Sequence, residues 1–479
     1  MSEKKLRHIT QVTERLGKDN LFEEKKLGKE LMKITSSLRK YAKKASEHNV
    51  IDKKLYEKYN VKNGLRDMNG KGVLAGLTNV SDIQAKKIID GKEVPCEGNL
   101  YYRGYNIKDI VEGFLKKDHF GFEEAAYLLL FGELPTVDEL LDFEQILAKR
   151  RDLPKHFVRD VIMKSPSKDM MNSISRAVLM LYTYDPLAND TSLPNVLKQS
   201  LNLIAQFPRL MVYGYQAYKG IKQGDDLFFY APRADLSTAE NILYMLRQDK
   251  KYSPLEAQIL DMALVLHMDH GGGNNSTFTA RVVSSSGTDT YSVIAAALGS
   301  LKGPRHGGAN IKVVEMFDDI KKNVKNWKSE KEIKNYLELI LDKKVFDKTG
   351  LIYGMGHAVY SVSDPRAEIL RDFVEKLAME KGYEKEYKLY SLVEKLAPKV
   401  IAEKRHIYKG VNANIDFYSG LIYSMLGLPS EIYTPLFATA RIVGWSAHRL
   451  EEIQNNNKIT RPAFKPAIQT RKYVPINKR

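Results

Sequence analysis

Apolar residues recur every three or four positions along most of the chain, which is the spacing of one face of an α-helix. The segment DELLDFEQILAKR is a clear case, because one stripe is apolar and the charges lie opposite; its apolar residues are Leu140, Leu141, Phe143, Ile146 and Leu147. Strand-like alternation is scarce, and the best example is NLYYRGYNI at 99–107, where a short hairpin is predicted. The pattern therefore predicts a mainly α-helical protein.

A buried helix is predicted from residue 254 onward. Ser253 is in the N-cap position, Pro254 in the first helical position and Glu256 three residues after the cap, which together form a capping box. The apolar run at 259–266 goes nearly all the way round this helix, and the glycines at 271–273 are expected to end it. A second helix is predicted at 291–301, where small residues let another helix approach closely, and KGPRHGGAN breaks it.

The composition changes along the chain in a way that indicates domains. Between Ala309 and Lys409 the sequence becomes rich in lysine and glutamate, which favours a smaller inserted domain with solvated helices. Residues 1–65 are similarly charged and are expected to form an extension of the larger domain. A length of 479 residues with 43% hydrophobic residues is enough for a large core, so extensive disorder is excluded.

The net charge and the cysteine content limit the possible binding partners and the cellular compartment. The net charge of +16 suits polyanions such as nucleic acid, but a solvated lysine-rich surface explains it more simply. The single cysteine, Cys96, excludes an internal disulfide and a cysteine-based zinc cluster, which fits a reducing compartment. The first residues lack the apolar core of a signal peptide, and no segment reaches the ~18 apolar residues of a membrane span. A cytoplasmic protein without membrane contact is therefore expected.

Three of the ten histidines adjoin glycine, which lets backbone and substrate come close: His270 before GGG, His306 before GG, and His357 after Gly-x-Gly. His267 and His270 share a helix face at i and i+3 and so could form a metal pair, but the third ligand is missing and His267 lies in the apolar run. Core packing is the favoured interpretation of His267, and no metal is expected. The chain also lacks the G-x-x-x-x-G-K-[ST] and G-x-S-x-G motifs, which argues against nucleotide hydrolysis and a serine nucleophile.

Arginines and one aspartate complement these histidines. Arg366 lies in DPR, Arg441 in ARIVGW and Arg461 in TRP, and several guanidinium groups together indicate a small polyanionic acid as ligand. Asp416 in NIDFYSG precedes two aromatic residues, so an apolar surrounding would raise its pKa towards that of a useful base. The alternative for Asp416 is a helix N-cap.

The order of these motifs resembles the citrate synthase family of the si type. The resemblance runs from about Gly98 to Pro462 and rests on DHGGGNNST, GPRHGGAN, GMGHAVY with DPR, NIDFYSG, ARIVGW and RP. It implies a mainly α, two-domain helical fold, with a large domain at 66–309 and 416–479, a smaller inserted domain at 310–415, and residues 1–65 as a charged part of the large domain. It also implies a homodimer that binds oxaloacetate and acetyl-CoA, without a resident cofactor and without nucleic acid.

The resemblance also implies roles for individual residues. His306 corresponds to the histidine that donates to the thioester oxygen, Asp416 to the aspartate that removes a methyl proton, and His357 to the histidine that protonates the oxaloacetate carbonyl. Substrate binding is implied for His270, Asn274, Arg366, Arg441 and Arg461, with Arg461 supplied across the dimer interface. Ser276 is implied to support His306.

Some alternatives stay open on sequence grounds. A 2-methylcitrate synthase would use propionyl-CoA, a citryl-CoA lyase would run the same module in reverse, and a basic nucleic-acid-binding protein or a non-catalytic scaffold is the least favoured. Ser361 stands where some family members place an arginine that contacts CoA phosphate, and Lys343, Lys344 and Lys409 are candidate substitutes. Ala413 and Ile415 also depart from the family pattern.

Overall fold

The computed structural model describes residues 32–67, 71–117, 119–357, 359–405, 410–455 and 458–479. Leu74–Pro462 forms one compact unit, and the described residues before and after it form a second. Residues 1–31 of the charged extension, and Lys409, lie outside the described residues. The predicted boundaries of the large and small domains stay a prediction.

The described residues contain 17 α-helices, which confirms the prediction of a mainly α-helical fold. The helices are α1 Ser36–His48, α2 Lys53–Lys58, α3 Ile107–Lys116, α4 Phe122–Phe131, α5 Val137–Ala148, α6 Met170–Leu181, α7 Leu193–Tyr218, α8 Thr238–Leu246, α9 Pro254–His267, α10 Asn275–Ser284, α11 Thr290–Lys302, α12 Ala309–Asn323, α13 Glu330–Leu341, α14 Pro365–Lys381, α15 Glu384–Arg405, α16 Ile415–Met425 and α17 Tyr433–Asn455. None of these described helices combines the length and apolar character that a membrane span requires.

A small antiparallel sheet precedes most of the helices. Its strands are β1 Ser81–Ile89, β2 Lys92–Tyr102 and β3 Tyr105–Asn106, in the order β1-β2-β3. The β2–β3 pairing confirms the short hairpin predicted at 99–107. The longer β1–β2 hairpin turns at Asp90 and Gly91, whose φ angles of 51° and 75° suit a type I′ turn.

The predicted helix starts are largely confirmed. Helix α9 begins at Pro254 with the complete capping box, and all of its residues from Ile259 to His267 are buried. It ends at His267, ahead of the glycines, because the Asp269 carboxylate accepts hydrogen bonds from the Ser81 hydroxyl and the Gly271 N–H and so turns the chain away. The stripe on α5 is narrower than predicted, since Leu141 is 52% exposed.

Helix α17 runs through the core and packs against α7, α9, α10 and α11. Three of its large side chains, Arg441, Trp445 and Arg449, are fully buried. Four other helices, α10, α12, α14 and α16, start within eight residues of a predicted catalytic or substrate-binding residue. The site is therefore built where these helices begin, against α17.

Candidate active site

His270 and His357 pack together although 87 positions separate them in the sequence. Their ring centroids are 5.0 Å apart, and the Tyr360 ring lies 5.4 Å from His270 and 4.9 Å from His357. His270 is buried, while His357 is half-buried. The turn after α9 and the loop before α14 thus supply one aromatic cluster.

The backbone around His357 fixes its tautomer. Its Nδ1 accepts hydrogen bonds from the N–H groups of Val359 at 3.0 Å and Tyr360 at 3.1 Å, so the proton of the neutral ring lies on Nε2. Gly354 and Gly356 have φ angles of 78° and 88°, which only glycine adopts easily. The two glycines therefore allow the loop conformation in which both N–H groups reach the Nδ1 of His357.

The same loop is held against the start of α16. Asn414 donates its N–H to the Gly354 carbonyl at 2.9 Å and its side-chain amide to the Gly356 carbonyl at 2.8 Å. The Asn414 Oδ1 accepts from the Asp416 N–H at 3.0 Å, so Asn414 is the N-cap of α16. The alternative of Asp416 as N-cap is therefore wrong, and its carboxyl is available for chemistry.

Asp416 lies in the first turn of α16. Burial raises the pKa of its carboxyl to about 6, the charges of Arg366 and Arg441 oppose this shift, and Asp364 adds to it. A carboxylate with such a pKa is ionised at neutral pH and basic enough to accept a proton during catalysis. The expectation that the pKa of Asp416 is raised therefore agrees with its burial, although charged groups are among its neighbours.

His306 is held by a polar cluster at the start of α10. Its Nε2 lies 3.0 Å from the Ser276 Oγ, which accepts the Trp445 indole N–H at 3.2 Å and lies 3.0 Å from the Asn274 Oδ1. The Phe437 ring packs edge-on at 6.0 Å. Burial, with a smaller effect of Arg441, lowers the pKa of His306 to about 4, so the ring is neutral at pH 7.

The Arg366 side chain is already engaged within its own motif. Its Nε and Nη2 donate to the two Asp364 oxygens at 3.0 and 2.8 Å, and both residues are buried. Burial opposes the charge on Arg366, but the carboxylate of Asp364 raises its pKa overall. Arg366 therefore carries a permanent positive charge, and Asp364 occupies part of its guanidinium group.

The Arg441 side chain differs from that of Arg366, because one of its buried nitrogens has no hydrogen-bond partner. Its Nε donates to the His267 carbonyl at 2.8 Å, while Nη1 is buried without a hydrogen bond. The Nε2 of His270 is likewise buried and unpaired. Burial lowers the pKa of Arg441 to about 10, with Asp269 opposing, and it remains charged. Buried unpaired polar groups are costly in a free protein, and these two lie close to each other and to His357, so they suit a ligand with oxygen atoms.

Charge interactions show that the predicted groups converge. Burial lowers the pKa of His270 well below its ordinary value, and electrostatic interactions with Arg366, His357, Arg441 and His306 add to the effect. The structure thus brings His270, His306, His357, Arg366, Arg441 and Asp416 into one site, with Asn274 and Ser276 behind His306. Arg461, by contrast, is exposed, and the structure shows no contact between it and this cluster within one chain.

Core packing of His267 is confirmed. It is buried, its Nδ1 donates to the Ala263 carbonyl at 2.7 Å, and burial lowers its pKa to about 3. Across the described residues, no group of three or more histidine, cysteine or acidic side chains is arranged to bind a metal.

Ser361, which departs from the family pattern, is held by contacts to its backbone carbonyl. The Ser361 carbonyl accepts from the Asn412 side chain at 2.9 Å, and Gly410 lies so close to this carbonyl that a Cβ would collide with it. Lys344 pairs with Asp342 at 3.3 Å. The role of Lys343 and Lys344 towards CoA stays a prediction.

Sequence reasoning did not single out three residues that contact the site. Tyr360 packs on both histidines, Asp364 holds Arg366, and Trp445 holds Ser276. Each lies inside a quoted motif, but only the fold shows which side chain it touches. The Asp-Pro-Arg order was the available signal for Asp364, since Asp before Pro is a frequent N-cap arrangement.

Comparisons with known proteins agree with this geometry. The family model described as "Citrate synthase, C-terminal domain" matches residues 65–463. The chain belongs to the citrate synthase family. This confirms the resemblance stated from the motifs, and the relatives identify the chain as an enzyme of the citrate synthase type.

Individual relatives cover most of the chain. The citrate synthase of Deinococcus radiodurans is 38% identical over 80% of this chain and 93% of its own. The 2-methylcitrate synthase of Shewanella oneidensis is 32% identical over 79% and 92%. Among solved structures, the citrate synthase of Thermoplasma acidophilum, in a ternary complex with carboxymethyl coenzyme A and oxaloacetate, has a TM-score of 0.70 and 28% identity over 87% of this chain and 99% of its own.

Proposed function

We propose that the protein condenses acetyl-CoA with oxaloacetate and hydrolyses the resulting citryl-CoA to citrate and CoA. The observation that supports this best is the pair of buried unpaired nitrogens, Arg441 Nη1 and His270 Nε2, in the same site as a carboxylate whose pKa is about 6. Arg441 Nη1 suits a carboxylate of oxaloacetate, His270 Nε2 suits one of its oxygens when it carries the ring proton, and the Asp416 carboxylate suits a carbon acid.

The first step is enolisation. Asp416 accepts a proton from the methyl group of acetyl-CoA, while His306 donates a hydrogen bond to the thioester oxygen. A thioester methyl is a very weak acid, so the base is effective only while a donor stabilises the enol oxygen. A neutral His306 serves this purpose, because a neutral imidazole is a donor that keeps its own proton in the ground state.

The second step forms the carbon–carbon bond. The enol carbon attacks the carbonyl carbon of oxaloacetate, and the Nε2–H of His357 supplies the proton for the oxygen that becomes the citrate hydroxyl. Water then attacks the thioester carbonyl, one of its protons restores the Nε2–H of His357, and the other leaves with the CoA thiolate as the CoA thiol. Asp416 releases the methyl proton to solvent. Arg366 and Arg441 hold the carboxylates throughout.

Assembly and location follow the same proposal. Since Arg461 is exposed in one chain, we propose a homodimer in which it reaches the site of the partner subunit. Oxaloacetate binds first, because its carboxylates need the arginines, and acetyl-CoA follows. We place the reaction in the cytoplasm, consistent with the one free cysteine, and expect no resident cofactor or metal.

The test is CoA release by the purified chain with oxaloacetate and either acetyl-CoA or propionyl-CoA. A higher kcat/KM for acetyl-CoA is expected, and a clear propionyl preference would instead support the activity named for the Shewanella oneidensis relative. One methylene is worth about 1 to 3 kcal/mol, so both substrates should react to some extent. Absence of citrate formation would refute the proposal and leave the reverse, lyase reaction to be assayed.

Subunit sharing has its own test. Mixed dimers of Asp416→Ala and Arg461→Ala chains should recover activity, since one of the two sites then has both residues intact. Complete lack of recovery would contradict the shared site. Binding to duplex DNA that falls steeply with salt would favour the nucleic-acid alternative.

A further inference from the structure

The Tyr360 ring contacts both imidazoles of the cluster. Its centroid is 5.4 Å from that of His270 at an interplanar angle of 76°, and 4.9 Å from that of His357 at 33°. The two imidazoles are themselves 5.0 Å apart, so each of the three rings touches the other two. Tyr360 is buried, and its ring therefore packs with the histidines instead of facing solvent.

Strand β2 holds the Tyr360 side chain. The Tyr360 hydroxyl donates to the Asn99 carbonyl at 3.3 Å, and the Gly98 N–H donates to the Ser363 Oγ of the same loop at 3.2 Å. A Cβ on Gly98 would lie only 2.6 Å from the ring Cδ1 and 2.8 Å from Cε1. The ring thus fills the space that glycine leaves, and the strand fixes its position.

The two histidines depend on this packing to different degrees. The Nδ1 of His357 accepts the N–H groups of Val359 and Tyr360, so the backbone fixes that edge of its ring. The Nε2 of His270 is buried and has no hydrogen bond among the described residues. Its orientation therefore depends largely on the two aromatic rings beside it, in the edge-on geometry that aromatic pairs favour.

We propose that Tyr360 is a positioning residue that holds the rings of His270 and His357 side by side, in the arrangement in which both reach one molecule of oxaloacetate. This inference rests on the proposed function, in which both histidines bind that substrate. The apparent affinity for a ligand falls with the fraction of protein that has the competent arrangement. One aromatic pair favours packing by about 2- to 10-fold, so losing the two pairs of Tyr360 should weaken oxaloacetate binding by about 5- to 100-fold.

The experiment is calorimetric titration of the full-length chain with oxaloacetate, together with CoA release. Tyr360→Leu keeps the backbone N–H that His357 accepts but removes the ring, and it should raise the Kd by about 5- to 100-fold. Tyr360→Phe keeps the ring and loses only the hydroxyl bond to Asn99, so its Kd should stay within about 3-fold of the parent value.

The steady-state constants separate positioning from general damage. Saturating oxaloacetate selects the competent arrangement, so in Tyr360→Leu the KM for oxaloacetate should rise much more than kcat falls. A variant that simply contains less folded protein would show the opposite, a lower kcat with an unchanged KM. That opposite result would overturn the proposal.

Tyr213 provides a matched control. It is buried like Tyr360, its ring lies 4.9 Å from that of Phe229, and its hydroxyl donates to the Tyr230 carbonyl at 3.1 Å. The Arg209 guanidinium lies 4.9 Å from its ring. Tyr213→Leu should therefore lower the unfolding midpoint as Tyr360→Leu does, while the Kd for oxaloacetate stays at the parent value. Equal increases in Kd for the two leucine variants would overturn the proposal.

The ring arrangement can also be measured without substrate. In NMR of the full-length chain with labelled histidine, a nuclear Overhauser effect between the rings of His270 and His357 is expected, assigned by its loss in His270→Gln and His357→Gln. It should persist in Tyr360→Phe and weaken in Tyr360→Leu. Gly98→Ala displaces the Tyr360 ring by a different route and should weaken it too, which tests the proposal should Tyr360→Leu fail to fold.

The results separate the two proposals. An unchanged Overhauser effect in Tyr360→Leu or, where that variant does not fold, in Gly98→Ala would overturn this inference, and so would an unchanged Kd for oxaloacetate. Failure of the parent protein to bind oxaloacetate would refute the proposed function instead, while the ring arrangement measured in the free protein would stand.

Discussion

Replacing Asp416 with asparagine should stabilise the protein while abolishing turnover. The pKa of Asp416 is about 6, against an ordinary value of 3.8, so the folded state disfavours the ionised carboxyl. Two pKa units correspond to about 3 kcal/mol at 1.36 kcal/mol per unit. Asparagine has nearly the same shape without the charge, and it should recover most of this free energy at neutral pH.

The gain in unfolding free energy of Asp416→Asn depends on pH. Below pH 3.8 the carboxyl is protonated in both the folded and the unfolded state, so it costs nothing. The cost grows as pH rises from 3.8 to about 6 and is constant above that, because the folded-state pKa is the higher one. For a unit of nearly 400 residues, about 3 kcal/mol corresponds to a rise in the unfolding midpoint of about 4 °C.

The assay is thermal unfolding of parent and Asp416→Asn protein at several pH values between 4 and 8, with CoA release measured in parallel. Asp364→Asn is the matched control with the opposite sign, because its carboxylate holds the buried Arg366, and breaking a buried pair costs about 3 to 5 kcal/mol. An Asp416→Asn midpoint equal to that of the parent at pH 8, or a gain of the same size at pH 4, would refute this account of Asp416.

Three further outcomes are expected. The kcat/KM for acetyl-CoA should fall on the acid side with an apparent pKa near 6, that of the carboxylate base before acetyl-CoA binds; a limb near pH 7 would implicate a histidine instead. Arg441→Met should weaken oxaloacetate binding about 10- to 150-fold by calorimetry, the loss of one charged hydrogen bond to substrate, while folding loses only the hydrogen bond from Nε to the His267 carbonyl. Arg449→Met on the same helix removes three hydrogen bonds and should destabilise instead; the reverse order would contradict these roles. Gly98→Ala places a Cβ against the Ser363 carbonyl and should raise the KM for oxaloacetate. Gly113→Ala is the control, because the space around Gly113 is open, and it should stabilise α3 by up to about 1 kcal/mol. Equal effects of the two substitutions on KM and stability would argue against the packing at Gly98.

The parts of the fold that follow local rules could be predicted from the sequence. The capping box before α9 and the small-residue helix α11 are examples, because caps and helix propensity depend on residues a few positions apart. The β1–β2 hairpin was missed although Asp90-Gly91 is a strong turn signal, since lysine and glutamate interrupt the alternation of its strands. The end of α9 depends on Ser81, far away in sequence, which no local pattern contains.

In the active site, too, features that depend on neighbouring residues could be predicted, while contacts formed only by the fold could not. Glycines beside His357 indicated an unusual backbone, but the direction of its Nε2–H depends on the N–H groups of Val359 and Tyr360, which only the folded loop reveals. Motif order found Arg366 and predicted that it binds substrate. It did not predict that Asp364 occupies two of its nitrogens, because that contact depends on how α14 begins.

The four helices that begin at the site have a consequence for how substrate arrives. A helix N-terminus carries about half a positive charge from its unpaired N–H groups, so α10, α12, α14 and α16 add a positive potential that belongs to the backbone. No side-chain substitution removes it. A dianion approaching from solution should therefore be attracted before any arginine touches it, and the rate of capture should fall as ionic strength rises.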